Sequence, residues 1–315
     1  MYFPKPLFKE RMKKLLYNEE DYKNYFSILK SPPKNIIRCN TIRISPEELK
    51  NKLEKKGWIV IQPYKKYPYI MIIENKLKPG ELGKSEEHLD GLYYIQELSS
   101  MMASIALSPK ENDIVLDLCS APGSKTTHLS MIMNNKGTII ANDNDKKRII
   151  ILKENLQRCF CTNVIVTRND AIQLCNKLKN KNIEINKILL DAPCSGEGTL
   201  RTDNKTFLLW NIKMIKKFSS LQKKMIASAL SLLKSNCELI YSTCTHAPEE
   251  NEEVIDFALK NFDVDLIRID LPIKTREGIT EWYTKKYDKR VKLCNRIYPH
   301  DNNTEGFFIA KLKKK

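Results

Sequence analysis

A chain of 315 residues with 42% hydrophobic residues is large enough for one substantial core and a smaller module, which argues against disorder. Its 54 lysines and arginines outnumber its 38 aspartates and glutamates, and the formal net charge of +16 favours a polyanionic partner, nucleic acid rather than membrane. No uncharged apolar stretch approaches the roughly 20 residues of a membrane helix and the N-terminus lacks the apolar core of a signal peptide, so we expect a cytoplasmic protein.

The first 91 residues predict two short helices followed by a small α+β module. Apolar residues recur at helical spacing up to Leu29, and the run Ser31-Pro32-Pro33 ends that pattern. A strand is predicted at 36–44, and Ser45-Pro46 then begins an amphipathic helix that Gly57 ends. WIVIQ and YIMII follow as strands. We therefore place a first domain at residues 1–91.

From Gly91 onward helices and strands alternate, and we place a second domain at residues 92–315. A helix is predicted at 95–107, and seven strands are predicted at 114–119, 138–143, 163–170, 185–192, 237–244, 264–269 and 307–312. Such alternation predicts an α/β fold with a mostly parallel seven-stranded sheet and helices on both faces. Ligands of such sheets bind beyond the carboxyl ends of the strands.

The first of these strands runs into LDLCSAPGSKTTHLS at 116–130, where Pro122 and Gly123 precede a helix. A phosphate-binding P-loop is excluded because Ser124, not glycine, stands before Lys125, and the dinucleotide pattern GxGxxG is absent. The residues instead predict a tight turn whose backbone amides, at a helix N-terminus, can receive a carboxylate or approach a ligand closely.

Polar side chains end the next strands. Asp143 ends the second, Asn169-Asp170 the third and Asp191 the fourth. In dinucleotide-binding folds an acid about 20 residues after the glycine turn binds the ribose hydroxyls, which is the position of Asp143. Together these strand ends predict one nucleoside-binding crevice.

Two cysteines follow strand ends and are candidate nucleophiles, Cys194 in DAPCSGEG and Cys244 in STCT. Neighbouring parallel strands would place both thiols in the predicted crevice, and on chemistry alone either could attack a substrate. The nine cysteines form no CxxC pair and are odd in number, and the four histidines are scattered. We therefore expect reduced thiols and no metal site.

The motifs CSAPGSKTTHL, ANDND, RND, DAPCSGEGTLR and YSTCTHAPEENEEV, in this order, closely resemble those of the Sun/Fmu-type (NOL1/NOP2/Sun) RNA (cytosine-5) methyltransferases, which use S-adenosylmethionine. IIRCNTIRIS and YPHDNNTEGFFIAKL are similar to that family too, so the resemblance spans about residues 36 to 312. The chain departs from the family at Ser120 and Ser124, where alanine and glycine are common. The resemblance implies a class I, Rossmann-like methyltransferase domain preceded by a small RNA-binding module.

Site residues follow from the resemblance, position by position. It implies that the loop after the first strand cradles the methionine part of the cofactor, through Cys119, Ser120, Ala121, Pro122, Gly123, Ser124 and Lys125. Asp143 would hold the ribose, Asp170 would contact the adenine, and Arg148 matches a position near the cofactor. Asp191 would lie where the methyl donor and the base meet, and we hypothesise that it also hydrogen bonds N3 or N4 of the base.

The resemblance also implies the roles of the two cysteines. In DNA cytosine methyltransferases the proline-cysteine motif supplies the nucleophile, whereas in this RNA family the threonine-cysteine motif does. Cys244 would therefore add to C6 of the cytosine, making C5 electron-rich, and Cys194 would assist proton removal or product release.

RNA is the expected substrate, with tRNA preferred and rRNA as the alternative because GEGTLRTD also resembles rRNA enzymes. Arg38, Arg43 and Arg201 are the predicted RNA contacts, and we expect a monomer. Two alternatives remain: a noncatalytic RNA-binding or ribosome-assembly protein, and a DNA cytosine methyltransferase, which would use Cys194 and carry a large target-recognition region.

Overall fold

The computed structural model describes residues 4–75, 77–203 and 205–315. Two helices come first, α1 (Pro6–Leu15) and α2 (Glu19–Ile28). Pro6 stands at the first position of α1, and the Asn18 side chain caps α2 by accepting from Asp21 N. Buried side chains of both helices, among them Phe8 and Tyr25, join the core of the large C-terminal sheet. These helices therefore pack against the second predicted domain, although they belong to the first in sequence.

A four-stranded antiparallel sheet follows, in the order β2-β3-β1-β4. Its elements are β1 (Asn35–Cys39), α3 (Pro46–Lys55), β2 (Val60–Ile61), β3 (Ile70–Ile73), α4 (Glu81–Lys84), α5 (Glu86–Leu89) and β4 (Tyr93–Ile95). Ser45 and Glu48 form a reciprocal capping box at the start of α3, as the Ser-Pro-Glu-Glu pattern predicts. Since β4 pairs with β1, this sheet extends past residue 91, and the helix predicted from residue 95 begins at Leu98 instead.

Alternating helices and strands form the rest of the chain, as predicted. They are α6 (Leu98–Leu107), β5 (Ile114–Asp117), α7 (Ser124–Ile132), β6 (Thr138–Asp143), α8 (Lys146–Arg158), β7 (Val164–Arg168), α9 (Ala171–Asn180), β8 (Lys187–Asp191), α10 (Thr206–Leu209), α11 (Ile212–Leu232), β9 (Glu238–Thr243), α12 (Glu252–Asn261), β10 (Val264–Ile267), β11 (Arg276–Glu277), β12 (Glu281–Trp282), β13 (Lys285–Lys286), a 3-10 helix (Lys289–Leu293), β14 (Asn295–Ile297), α13 (Pro299–Asn302) and β15 (Phe307–Lys314).

The large sheet is mixed and has nine strands in the described part of the chain, not the predicted seven. Its order is β11-β14-β15-β9-β8-β5-β6-β7, and β10 pairs with the far half of β15. Strands β5 to β9 are mutually parallel, as predicted, whereas β15 runs antiparallel to β9. The sequence pattern missed β11 and β14 because strands of two and three residues are too short to show alternation.

Both faces of the central parallel strands β5 and β8 are buried. Consecutive residues of β5, Val115 and Leu116, belong to two different hydrophobic clusters, and so do Leu189 and Leu190 of β8. Because successive side chains of a strand point to opposite faces, helices must cover both sides of this sheet. No helix in the described part of the chain combines the length and apolar character that crossing a bilayer requires.

Candidate active site

A crevice of about 400 Å³ lies at the carboxyl ends of β5, β6, β7 and β8. Parallel strands bring their carboxyl ends to one edge of the sheet, which is why residues far apart in sequence meet there. Among the predicted site residues, those lining the crevice are Cys119, Ala121, Asp143, Arg148, Asp170, Asp191, Cys194 and Cys244. The crevice predicted from the strand ends is present.

Asp143 offers a free acceptor in this crevice. Its side chain is 3% exposed, and its Oδ1 accepts a hydrogen bond from Asp145 N at 3.0 Å. Its Oδ2 has no hydrogen bond and is paired only with the charge of Arg148, whose Nη1 is 3.2 Å away. Buried polar atoms without hydrogen bonds are uncommon, and a ribose hydroxyl would satisfy this one. The site therefore fits a nucleoside.

Neighbouring side chains set the shape of the crevice. Asn142 accepts from Asn169 N and Thr167 Oγ1, both at 3.0 Å, and thereby ties β6 to the end of β7. Asp170 caps α9 by accepting from Ile172 N and Gln173 N. The Arg148 guanidinium donates to the carbonyl oxygen of Ala121, so it spans the rim of the crevice.

Most of the loop after β5 supports the crevice without lining it. Ser120 donates from its backbone N and its Oγ to the Asn142 carbonyl oxygen, at 2.8 and 2.9 Å. Gly123 has φ of +105°, a conformation that favours glycine, and directly precedes α7. Of the seven loop residues predicted to cradle the cofactor, Cys119 and Ala121 line the crevice, whereas Ser120, Pro122, Gly123 and Ser124 do not.

Lys125 lies on the other side of the sheet edge. Its Nζ donates to Asp191 Oδ2 at 2.7 Å, and Ser242 Oγ donates to Asp191 Oδ1, also at 2.7 Å. Both oxygens of Asp191 are thus held by donors from neighbouring elements. The Lys125 side chain orients Asp191 and lines a second cavity, and its contact with the methionine part of the cofactor stays a prediction.

The second cavity, of about 500 Å³, lies between the four-stranded N-terminal sheet and the large sheet. Asn35 and Ile36 line it from the N-terminal side, and Phe307 from β15 lines it on the catalytic side. Asp191 and Cys244 line both this cavity and the crevice, whereas Cys194 lines the crevice alone. The two cavities therefore meet at Asp191 and Cys244.

The two cysteine sulfurs lie 3.2 Å apart, which confirms the prediction that they converge. Both residues are partly exposed. The hydrogen bond with Cys244 raises the pKa of Cys194 well above its usual value, and burial and the charges of Cys244 and Glu250 add to this effect. Cys194 is therefore a neutral thiol at neutral pH.

Two glycines hold the backbone of Cys244. Gly198 N donates to the Cys244 carbonyl oxygen, and Gly306 N donates to the Gly198 carbonyl oxygen, both at 2.8 Å. A Cβ on Gly198 would lie 2.2 Å from Gly306 O and 2.9 Å from Cys244 O, so only glycine fits. Sequence reasoning missed this role, although both glycines stand inside the recognised motifs.

Asp117, at the end of β5, is a second residue that sequence reasoning missed. It is 1% exposed, and burial raises its pKa to about 7, although Thr126 Oγ1 donates to it at 2.8 Å. It connects β5 to the first turn of α7 beneath the crevice.

The structure does not favour the prediction that Arg38 contacts RNA. Its side chain is 1% exposed because β1 is buried on the side that faces α7. The guanidinium donates to Gln96 Oε1, and at 2.8 Å to both Ser124 O and Thr127 Oγ1. Arg38 therefore joins the N-terminal sheet to the start of α7, and its one donor without a partner, Nε, is buried.

Arg201 is half-buried, and its side chain is held by other parts of the protein. Its guanidinium donates to the carbonyl oxygens of Ser31, Pro32 and Thr304 and to Asn303 Oδ1. These contacts tie the loop after β8 to the segment before β1, so the structure does not favour the predicted phosphate contact. Arg43 is exposed, with its guanidinium 4.1 Å from the centre of the Phe160 ring, and its RNA contact stays a prediction.

Within the described ranges, no group of three or more His, Cys, Asp or Glu side chains is arranged to hold a metal ion.

Comparison with known proteins places this geometry in a family. The model of the 16S rRNA methyltransferase RsmB/F family matches residues 104–313, and that of the N-terminal domain of 16S rRNA methyltransferase RsmF matches residues 4–98. The chain is 39% identical over 310 residues to the tRNA (cytosine(49)-C(5))-methyltransferase of Pyrococcus abyssi, covering 98% of this chain and 97% of that protein.

Further similarities extend to a longer relative and to a solved structure. Ribosomal RNA small subunit methyltransferase F of Psychromonas ingrahamii is 37% identical over 314 residues, covering 98% of this chain, which spans 62% of that protein's length. The crystal structure of NSun6 from Pyrococcus horikoshii with SFG, an analogue of S-adenosylmethionine, superimposes with a TM-score of 0.81 at 26% identity, covering 97% of each chain.

Proposed function

The chain belongs to the RsmB/F family of S-adenosylmethionine-dependent RNA (cytosine-C5) methyltransferases, and we propose that it methylates tRNA through a covalent adduct between Cys244 and C6 of the target cytosine. The observation that carries the proposal is the meeting of two cavities at Cys244 and Asp191. One cavity suits the cofactor, and the other opens toward the N-terminal sheet, where a base can enter.

The cofactor belongs in the crevice at the strand ends. Asp143, with its free Oδ2, would hold the ribose, Asp170 would face the adenine, and Cys119 would lie along the methionine part. S-adenosylmethionine, when bound, supplies the activated methyl group. The protein's own task is to keep that group beside C5 of the base.

Cys244 is proposed as the nucleophile because it borders both cavities, whereas Cys194 borders only the crevice. A thiolate adding to C6 makes C5 nucleophilic, and a base entering from the second cavity reaches Cys244 first. Cys194, 3.2 Å from Cys244, is placed to take the proton that C5 must lose. The raised pKa of its thiol suits a group that ends the reaction protonated.

Asp191 is proposed to hydrogen bond N3 or N4 of the cytosine and so to make C6 more electrophilic. Lys125 and Ser242 fix both of its oxygens at 2.7 Å, which orients the carboxylate at the junction of the cavities. An Asp191→Ala variant should lose turnover. Normal RNA affinity and normal turnover in that variant would remove Asp191 from the mechanism.

tRNA is the proposed substrate because the chain is 39% identical over 310 residues to the tRNA enzyme of Pyrococcus abyssi, against 37% over 314 residues for the rRNA enzyme of Psychromonas ingrahamii. A second candidate is rRNA, since both matching family models describe 16S rRNA methyltransferases. Bisulfite sequencing of total RNA from cells with and without the gene reads the RNA class and the position together.

The N-terminal region, residues 1–91, is proposed to hold the RNA, since Asn35 and Ile36 reach the wall of the second cavity. We further propose that the protein works as a monomer in the cytoplasm. Its nine cysteines are all free, which suits a reducing compartment.

Trapping tests the assignment of the thiols. In RNA containing 5-azacytidine, position 5 of the ring is a nitrogen that carries no proton after methyl transfer, so the elimination cannot occur and the enzyme stays bonded to the base. Cys244→Ala should lose the covalent complex, while Cys194→Ala should keep or accumulate it. The reverse result would exchange the two roles.

A further inference from the structure

The turn before α12 places a buried carboxylate against the loop that carries Cys194. Glu250 has no exposed surface, and its Oε2 accepts from Ser195 N and from Gln222 Nε2, both at 3.0 Å. Gln222 Nε2 also donates to the Pro193 carbonyl oxygen at 2.8 Å. The residues before and after Cys194 are therefore both held through Glu250 and Gln222.

The second carboxylate oxygen of Glu250, Oε1, is buried without a hydrogen-bond partner. Buried polar atoms without a hydrogen-bond partner are uncommon in proteins, and a functional role is one reason why such an atom is kept. The charge of Glu250 reaches Cys194, where it helps to raise the pKa of the thiol. The other titratable groups near Glu250 are Glu197 from the same loop and Tyr241 from β9, whose hydroxyl donates to the Glu250 carbonyl oxygen.

Glu249 and Glu250 stand just before α12, where acidic side chains commonly stabilise the N-terminus of a helix. Glu250 does not do so, because α12 begins at Glu252 and the Glu250 side chain points to the loop after β8. Its neighbour Glu249 makes a bidentate pair with Arg11 of α1 instead. The two adjacent carboxylates thus have different partners, and only Glu250 contacts the loop of Cys194.

We propose that Glu250 is a positioning residue for Cys194, because its buried carboxylate holds the loop that carries this thiol beside the base. When charged, the same carboxylate opposes ionisation of the thiol. This inference rests on the proposed function, in which Cys194 removes the C5 proton. In that step the C5–H bond breaks and its proton passes to the Cys194 thiolate. The electron pair forms the C5–C6 double bond, and the Cys244–C6 bond breaks with its pair remaining on the Cys244 sulfur.

Cys194 has to lose its proton before this step. In the free enzyme, Cys244, burial and the charge of Glu250 all raise the pKa of the Cys194 thiol and so oppose its ionisation. The hydrogen bond and the charge of Cys244 are two of these causes, and both disappear once its sulfur is bonded to the base, because a thioether has no proton and does not ionise. Burial and the charge of Glu250 then remain. Burial raises the pKa of Glu250 to about 8, so Glu250 is mostly neutral at pH 7 and does not oppose the thiolate.

Two variants separate the positioning role from the charge role. Glu250→Gln keeps an oxygen for the Ser195 N–H and removes the charge, whereas Glu250→Ala removes both. Glu253→Gln is the matched control, since Glu253 lies in the same segment but pairs with Lys223 and Lys285. The measurement is the decay of the covalent complex with ordinary cytosine RNA in a single turnover, from about pH 6 to about pH 9.

We expect the pH profile of release in Glu250→Gln to shift to lower pH, because a charge that opposes ionisation of Cys194 is gone. Release near pH 8 should then be about threefold faster than in the wild type, the factor that half a pKa unit gives. Glu250→Ala should accumulate the complex at every pH, as Cys194→Ala does. Glu253→Gln should follow the wild type.

A Glu250→Gln profile that superimposes on the wild-type profile overturns the charge role, and wild-type release by Glu250→Ala overturns the positioning role. Should Glu250→Ala not fold, as judged by its thermal melt and cofactor binding, Glu250→Asp takes its place, because the shorter side chain withdraws the oxygen from Ser195 N and keeps the charge. Failure of the proposed function gives another result: Cys194→Ala would then accumulate no complex at all.

Discussion

Replacing Gly198 by alanine tests how the nucleophile is held. The new Cβ would lie 2.2 Å from Gly306 O, whereas ordinary contact begins at 3.4 Å, so that carbonyl must retreat by about 1 Å. The same Cβ would lie 2.9 Å from the Cys244 carbonyl oxygen. Both obstacles are backbone atoms and cannot rotate away. The overlap is therefore relieved by moving the segment that carries Cys244.

The structure sets the expected size of the effect. Overpacking of this kind lowers the free energy of unfolding by about 1–3 kcal/mol. A reacting group displaced by about 1 Å slows its reaction by about a hundredfold. We therefore expect Gly198→Ala to form the covalent complex with 5-azacytidine RNA about a hundredfold more slowly, and to melt several degrees lower.

Gly57→Ala is the control, because an added Cβ at Gly57 meets nothing within 4 Å, although Gly57 lies at positive φ, +83°. This variant should lose about 1–2 kcal/mol of stability from backbone strain and keep the wild-type rate of complex formation. A Gly198→Ala protein that forms the complex at the wild-type rate would refute the role given to the glycine contact.

Three further predictions concern other parts of the site. Arg38→Ala should lower the free energy of unfolding in urea by at least about 2 kcal/mol, since it removes hydrogen bonds of a buried charged group. It should leave the salt dependence of RNA binding unchanged, and a weaker salt dependence in this variant would show that Arg38 contacts RNA. Asp143→Ala should weaken binding of S-adenosylmethionine about tenfold to a hundredfold by calorimetry, and an unchanged affinity would contradict the ribose assignment. Asp117 has a pKa raised from 3.8 to about 7, so the folded state binds its proton more tightly than the unfolded state and wild-type stability falls as pH rises through this range. The free energy of unfolding of Asp117→Asn, relative to that of the wild type, should therefore rise by a few kcal/mol between pH 4 and pH 8 in urea titrations. A difference in unfolding free energy that does not change with pH would refute the buried protonated carboxyl.

The parallel half of the fold and its acids could be predicted from the chain. Strands β5 to β9 are long enough to show apolar runs, and helices separate them, which specifies a parallel sheet. Because such strands end at one edge, Asp143 and Asp191 could be assigned to one crevice without any knowledge of the loops.

The roles of the arginines could not be predicted in the same way. A local pattern shows that Arg38 stands in a strand, but not that α7 covers the strand on that side. Likewise Arg201 stands in an apparently open loop, and its acceptors come from residues more than 100 positions away. A count of basic residues measures charge, whereas contact with RNA depends on which of them remain free.

The order and chemical types of the motifs, which the sequence alone determined, identify two thiols, three acids and a cofactor of the nucleoside class. The tertiary structure decided which thiol faces which cavity and which acid lies against it. Cys194 and Cys244 are 50 residues apart in the chain and 3.2 Å apart in space. That distance depends on the pairing of β8 with β9 and on the close approach of Gly198 to Gly306, which no local pattern encodes because it arises only when separate segments pack together.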